Sequence, residues 1–170
     1  MRFGEYKELI RRDRERYGDN TKHWKLYLFN PCYRISVHYR RCKYYETHKG
    51  LILLYLLERF IYNRQCTKYG CDIPSHVSIG AGFRMDHPHG VVINSKAIIG
   101  SNFTIKSGAV IGANDKGVPV IGDNVLVGVH ALVIGNVNIE DNAKIGAGAI
   151  VVHNVPAGAT VVCNSAQIRG

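Results

Sequence analysis

The sequence predicts an α+β chain: an N-terminal α-helical segment over residues 1–70, then a parallel β-helix of hexapeptide repeats over 71–170. Three observations predict it. From Ile121 to Val151 every sixth residue is Val or Ile (Ile121, Val127, Val133, Ile139, Ile145, Val151), a period that belongs to neither an α-helix nor a flat sheet. The composition changes near Tyr69 to Cys71, because all ten tyrosines and Trp24 lie before that point. The charge changes there too: residues 1–70 hold sixteen of the 22 Lys and Arg and seven of the 13 Asp and Glu, so they carry the whole +9 excess.

The helical segment comes first. Tyr6, Leu9, Ile10 and Asp13 share one stripe, and Gly18 to Thr21 reads as a stop followed by a new start. Pro31 after Asn30 breaks the next stretch. Helices are predicted from about Pro31 to Glu46 and from Leu51 to about Tyr69, separated by His48, Lys49 and Gly50. Leu51 to Leu57 is continuously apolar, but Glu58 and Arg59 end the run far short of the roughly twenty residues that span a bilayer. A buried helix is expected. Together these helices should cover the first coil of the repeat region, whose edge would otherwise leave backbone groups unpaired.

The basic excess has two readings: a solvated helical surface, or attraction to anionic lipid or to a phosphate-bearing acceptor held at the membrane surface, and so peripheral membrane contact. Nucleic acid is not expected as a partner, since no recognition motif accompanies the charge. Met1 to Asp13 is polar, unlike a secretion signal, and five cysteines (Cys32, Cys42, Cys66, Cys71, Cys163) without C-x-x-C spacing fit a reduced, cytoplasmic protein.

The hexad comb defines the second part. It extends back through Ile111, Ile105, Ile99 and Ile93, and before them Met85, Ile79 and Ile73. In a chain that is 46% apolar, six hits in six arise by chance roughly once in a hundred trials. A six-residue period describes a coil with three flat sides, each a short strand with its branched residue inward, so a rung takes about eighteen residues. A β-sandwich, with strands of period two, would not produce it. Glycines such as Gly80, Gly100 and Gly128 follow comb positions at the corners, and Asn102, Asn124 and Asn142 suit left-handed backbone at others.

The comb jumps register twice, between Met85 and Ile93 and between Ile111 and Ile121. Extra residues leave a solenoid as loops, and loops on a rigid scaffold carry chemistry. The first jump reads Asp86-His87-Pro88-His89-Gly90, and Asp72 stands about one coil earlier. Asp72 and His87 are therefore expected on adjacent rungs near one corner. A carboxylate beside an imidazole orients the ring and stabilises its protonated form, which suits His to general-base work. Cys71 and Cys163 lack an adjacent base and are expected as packed thiols, and His76, His130 and His153 fall on exposed hexad positions.

Cys71 to Ile93, C-D-I-P-S-H-V-S-I-G-A-G-F-R-M-D-H-P-H-G-V-V-I, resembles the serine acetyltransferase family of hexapeptide-repeat acyltransferases. The resemblance runs from about Tyr69 to Arg169 through the motifs D-I, D-H-x-x-G and I-G-A-G. It implies a left-handed β-helix, a homotrimer, and acetyl-CoA as co-substrate along the groove between subunits, with no metal. It assigns His87 as general base, Asp72 as the carboxylate that orients it and Asp86 as an acceptor contact. His89, in the same loop, is a separate expectation for the lining of the acceptor pocket. The implied reaction is transfer of acetyl to the hydroxyl of L-serine, for cysteine biosynthesis. Gly112, Ala113, Gly128, Val129, Lys144, Ala147 and Gly148 match the coenzyme segments, where small residues admit a pantetheine arm and Lys144 meets a phosphate.

The second loop departs from the family, which places an Arg-His pair before the Pro where this chain has Gly117 and Val118 ahead of Pro119. Lys116 is the substitute charge for an acceptor carboxylate, without the fork geometry of Arg. Short relatives that acetylate sugar hydroxyls of capsule, exopolysaccharide or O-antigen need no such clamp, so a sugar is the alternative acceptor. A zinc carbonic anhydrase on the same scaffold would need three converging histidines, which the spacing of His76, His87, His89 and His130 does not supply. A non-catalytic β-helix would be indifferent to loss of His87.

Overall fold

Each comb residue turns inward, as its period requires. In the computed structural model, which describes residues 1–18 and 21–164, short strands stack into three parallel sheets, the sides of a triangular coil. The last residues of the family resemblance, 165–169, lie outside the described part. One side buries Ile93, Ile111, Val133 and Val151, the next Ile79, Ile99, Ile121 and Ile139, and the third Met85, Ile105, Val127 and Ile145, none more than 5% exposed.

The pairing register accounts for both jumps. Where no loop intervenes a rung takes 18 residues, as between Val92 and Val110 or Leu126 and Lys144. The step lengthens to 20 across the first loop (Arg84 with Thr104) and to 22 across the second (Thr104 with Leu126, Val110 with Leu132). Two and four residues thus leave the stack while the core stays in phase. Beyond the comb's last residue the beat shortens, and Val155 bridges Ile139.

The comb captured only half of the core. Two residues before each comb position a second side chain is buried, including Val77, Phe83, Val91, Ala97, Phe103 and Ala109, because alternate residues of a short strand point the same way. Phe83 and Phe103 stack with centroids 6.2 Å apart and planes 11° from parallel. Asn102, Asn124 and Asn142 take φ of 56°, 58° and 62° at the corners, as expected. A Cβ on Gly80 would stand 2.6 Å from the Gly100 carbonyl carbon, so rung contact itself requires glycine there.

Among the described residues four α-helices, α1 (Phe3–Glu15), α2 (His23–Phe29), α3 (Pro31–Glu46) and α4 (Ile52–Tyr69), precede the coil. The Asn30 side chain accepts from Tyr33 N at 3.0 Å and Pro31 opens α3, while Gly70 at φ 60° ends α4. The helices do cover the first coil. Tyr39 Oη donates to Val77 O at 2.6 Å, Lys43 Nζ to the same carbonyl at 2.7 Å, and Tyr62 Oη to Ile73 O. Arg40 donates to Ile79 O and Gly80 O, while Asp13 accepts from Gly82 N at 2.9 Å and Phe83 N at 2.8 Å. Arg40 and Asp13 also pair with each other at 2.8 Å, and both are buried. Cys32, Ile35, Tyr39, Cys42, Tyr62 and Cys66 join the coil's own side chains in one core.

One expectation fails. The apolar run Leu51–Leu57 is not buried: Leu53 is 78% exposed, and Leu54, Leu56, Leu57 and Phe60 are exposed with it. The inward stripe of α4 is instead Glu58, Tyr62 and Cys66. Glu58 turns inward because buried His38 Nδ1 meets its carboxylate, and Tyr62 because Ile73 O needs a donor, so the leucines rotate outward.

Candidate active site

The first loop opens at the corner where the third side passes to the first. Asp86 still belongs to the strand Arg84–Asp86, paired with Lys106 of the next rung, and the chain then turns at His87 with φ 62°. Gly90, at φ 68°, returns the chain to the stack by donating to Gly70 O at 3.2 Å. His87 and His89 are both exposed, and the His89 ring meets Tyr69 edge-on at 5.5 Å. The helices supply the other wall. Arg16 and Tyr17 after α1, and Phe29, Pro31 and Cys32 around the start of α3, enclose with this loop an open cleft of about 1040 Å³.

The charges in the cleft are ordered. Arg84 Nε holds Asp86 Oδ1 at 2.8 Å, its Nη1 donates to Arg16 O at 2.8 Å, and its guanidinium lies over the Tyr17 ring at 5.6 Å. Tyr17 Oη in turn accepts from Met85 N at 3.1 Å. Arg16 Nη2 donates to Thr104 Oγ1 at 2.8 Å, and burial together with the neighbouring Arg84 charge pushes the Arg16 pKa below its ordinary value. Burial pushes the Cys32 thiol up to about 11, so it offers no thiolate nucleophile.

The predicted site residues divide between two corners. Asp72 lies one rung before Val92, exposed on the side that the chain enters just after His87; its N–H donates to Val91 O at 2.8 Å. No hydrogen bond or ion pair joins Asp72 to His87, and the one histidine–carboxylate pair among the described residues is His38 with Glu58. Val129 lines the cleft two rungs along the His87 corner, and Gly148 donates to Val129 O at 2.8 Å in the rung after that. Gly128 and Ala147 belong to this column, and a Cβ on Gly128 would meet Ala147 N at 2.8 Å. Lys144 is exposed on the strand leading into it.

Gly112, Ala113 and Lys116 belong to the other corner, where the first side passes to the second and Asn114 pairs with Gly117 across the second loop. Lys116 is exposed there and does not line the His87 cleft of its own chain. Cys71 is a packed thiol as expected, but Cys163 is exposed, against the expectation for it. His76, His130 and His153 are exposed as expected.

Sequence reasoning does not single out Arg16, Tyr17, Arg84 or Lys106, which line the cleft. Lys106 was within reach, because it follows Asp86 by one rung plus the two loop residues. Arg16 and Tyr17 were not, since helix packing alone brings them to the cleft.

The chain is 32% identical to the serine acetyltransferase of Helicobacter pylori over 154 residues, a match covering 85% of this chain and 84% of that relative. It belongs to the serine acetyltransferase family. Serine acetyltransferase 4 of Arabidopsis thaliana is 32% identical over 158 residues, 91% of this chain and 42% of its own length. Against the plant serine acetyltransferases this chain thus spans less than half the relative's length. No protein-family model matches the chain. Among solved structures, the serine acetyltransferase of Neisseria gonorrhoeae in complex with serine superposes with a TM-score of 0.73 at 30% identity, covering 97% of this chain and 69% of that one. Isoform 3 from Entamoeba histolytica, solved with cysteine, gives 0.79 at 27% identity, with 99% and 62% covered. The likeness to these serine acetyltransferases spans helices and coil alike, so the helical wall of the cleft is part of the shared fold.

Proposed function

We propose that the chain is an acetyl-CoA-dependent O-acetyltransferase that transfers acetyl to the hydroxyl of L-serine. The observation that carries this reading is the Asp86-His87 loop, the stretch that bears the family motif, opening into the cleft between helices and coil. A relative of the same family at 30% identity, solved with serine, supports the acceptor. His87 takes the proton from the acceptor hydroxyl as that oxygen attacks the thioester carbonyl. Backbone N–H groups at the corner hold the developing oxyanion, and the protonated His87 returns its proton to the departing thiolate. Asp86 meets the acceptor, and Asp72, which does not touch His87 in this structure, is assigned to orient the imidazole once the acceptor is bound. The small residues Gly128, Val129, Ala147 and Gly148 let the pantetheine arm run along the His87 corner, with Lys144 toward a phosphate.

In this reading the enzyme is a cytoplasmic homotrimer. A threefold arrangement sets the second-loop corner of one copy beside the His87 corner of the next, which brings Gly112, Ala113 and Lys116 to a cleft they do not reach in their own chain. The alternative acceptor, a sugar hydroxyl of a surface polysaccharide, draws on Gly117 and Val118 in the second loop. Membrane contact through the basic helices, where Leu53, Leu57 and Phe60 stand exposed, would suit it. The test is release of free thiol from acetyl-CoA, first with L-serine and then with sugars and nucleotide sugars. Turnover with serine alone supports the reading, and turnover with sugars alone replaces serine as the acceptor.

A further inference from the structure

Among the described residues, the cleft beside His87 is lined by more cations than carboxylates. Arg16, Arg84 and Lys106 face it, against Glu15 and Asp86. Both carboxylates are already engaged, since Arg11 reaches from α1 to Glu15 and Arg84 holds Asp86 at 2.8 Å. Arg84 is fixed three ways, by Asp86, by the Arg16 carbonyl and by the Tyr17 ring, so it is committed to building the wall. Arg16 and Lys106 are left without a carboxylate partner among the described residues. The only side-chain hydrogen bond of the Arg16 guanidinium among the described residues goes to the neutral Thr104 hydroxyl, so four of its five N–H donors have no side-chain acceptor among them.

We propose that Arg16 and Lys106 form an oxyanion subsite beside His87, so that the acceptor carries a carboxylate or phosphate near its reacting hydroxyl. The proposal rests on the acetyltransferase reading above and narrows its acceptor. Lys106 stands one rung from Asp86, roughly 4.8 Å along the stack, so a bound anion would lie within a few ångströms of the His87 corner. Arg16 is partly desolvated and repelled by Arg84, and the attraction of an incoming anion offsets both penalties. A guanidinium with free donors matches a carboxylate or phosphate edge-on, which the Lys116 ammonium could not do. The subsite comes from the helical segment and the coil together, and it serves in place of the Arg-His pair replaced by Gly117 and Val118. Asp86, already neutralised on one oxygen, retains the other for an ammonium, so a zwitterionic amino acid fits both signs of the cleft.

The test compares acceptors with and without the anion, followed by thiol release from acetyl-CoA: L-serine against L-serinamide, glucuronate against glucuronamide, and glucose 6-phosphate as the phosphate arm. The serine and sugar arms distinguish the two sources of the oxyanion. The expected result is a preference of roughly 10- to 100-fold in kcat/KM for the anionic member of the productive pair, the usual scale of a charge-assisted hydrogen bond. Arg16→Ala should raise the acceptor KM by a similar factor, leave the acetyl-CoA KM unchanged and erase the preference, with partial rescue by Arg16→Lys. Lys106→Gln should act in the same direction, and neither substitution should change the uncharged acceptor's KM. Equal use of neutral and anionic acceptors by the wild-type protein would overturn the subsite while leaving the acetyltransferase reading intact. No thiol release with any acceptor would overturn both.

Discussion

Replacing Asp13 by Asn should strip the helical segment of its strongest tie to the coil. Asp13 is fully buried, receives Arg40 at 2.8 and 3.1 Å, and accepts from the amides of Gly82 and Phe83. Asn keeps the shape but leaves the Arg40 guanidinium, itself 1% exposed, with no counter-charge. Breaking one side of a buried pair costs about 3–5 kcal/mol, because the partner's desolvation is no longer offset. In a chain of this size each kcal/mol moves Tm by about 2–4 °C, so a fall of about 6–20 °C is expected in a thermal melt followed by circular dichroism. Asp13→Leu with Arg40→Met should recover part of the loss, since no unpaired charge remains. Recovery stays incomplete because the carbonyls of Ile79 and Gly80 lose their donors. A loss of under about 1 kcal/mol for Asp13→Asn would refute the claim that this pair joins helices to coil.

Gly80→Ala should destabilise by more than the few tenths typical of a surface change, because its Cβ would sit 2.6 Å from backbone of the next rung; chemical denaturation reads it, and an unchanged midpoint contradicts the stacking argument. Light scattering after size exclusion should give a mass about three times 19.0 kDa, and a monomer at micromolar concentration would contradict the completion of the cleft by a neighbouring copy. If the outward leucines of α4 meet lipid, sedimentation with vesicles containing anionic phosphatidylserine should pull the protein down at low salt, and Leu53→Glu with Leu57→Glu should abolish this; equal binding by the double variant rules out that face.

The coil was legible because its period is enforced at every rung: a residue out of phase at Ile105 or Val127 would put a polar side chain among stacked isoleucines. The two breaks in the beat were equally legible as loops, since two and four surplus residues can leave only at corners. The start of α3 at Pro31 followed from local backbone chemistry alone. The orientation of α4 did not, because its apolar residues outnumber its polar ones and the inward stripe was chosen by His38 and by one unpaired carbonyl at Ile73, neither visible in α4 itself. The site was half legible for the same reason. Asp86, His87 and His89 share one loop and announce themselves, whereas Arg16 comes from a helix end 70 residues away, and the distance from Lys116 to the cleft depends on which corner each loop occupies.

The most direct test of the account is the rate of thiol release from acetyl-CoA with L-serine, measured for the wild-type protein and for His87→Ala at equal, verified folding. A fall of at least roughly a hundredfold, the scale of a lost general base, is the predicted result. A variant that turns over serine as fast as the wild type would contradict the assignment of His87 and the chemistry built on it.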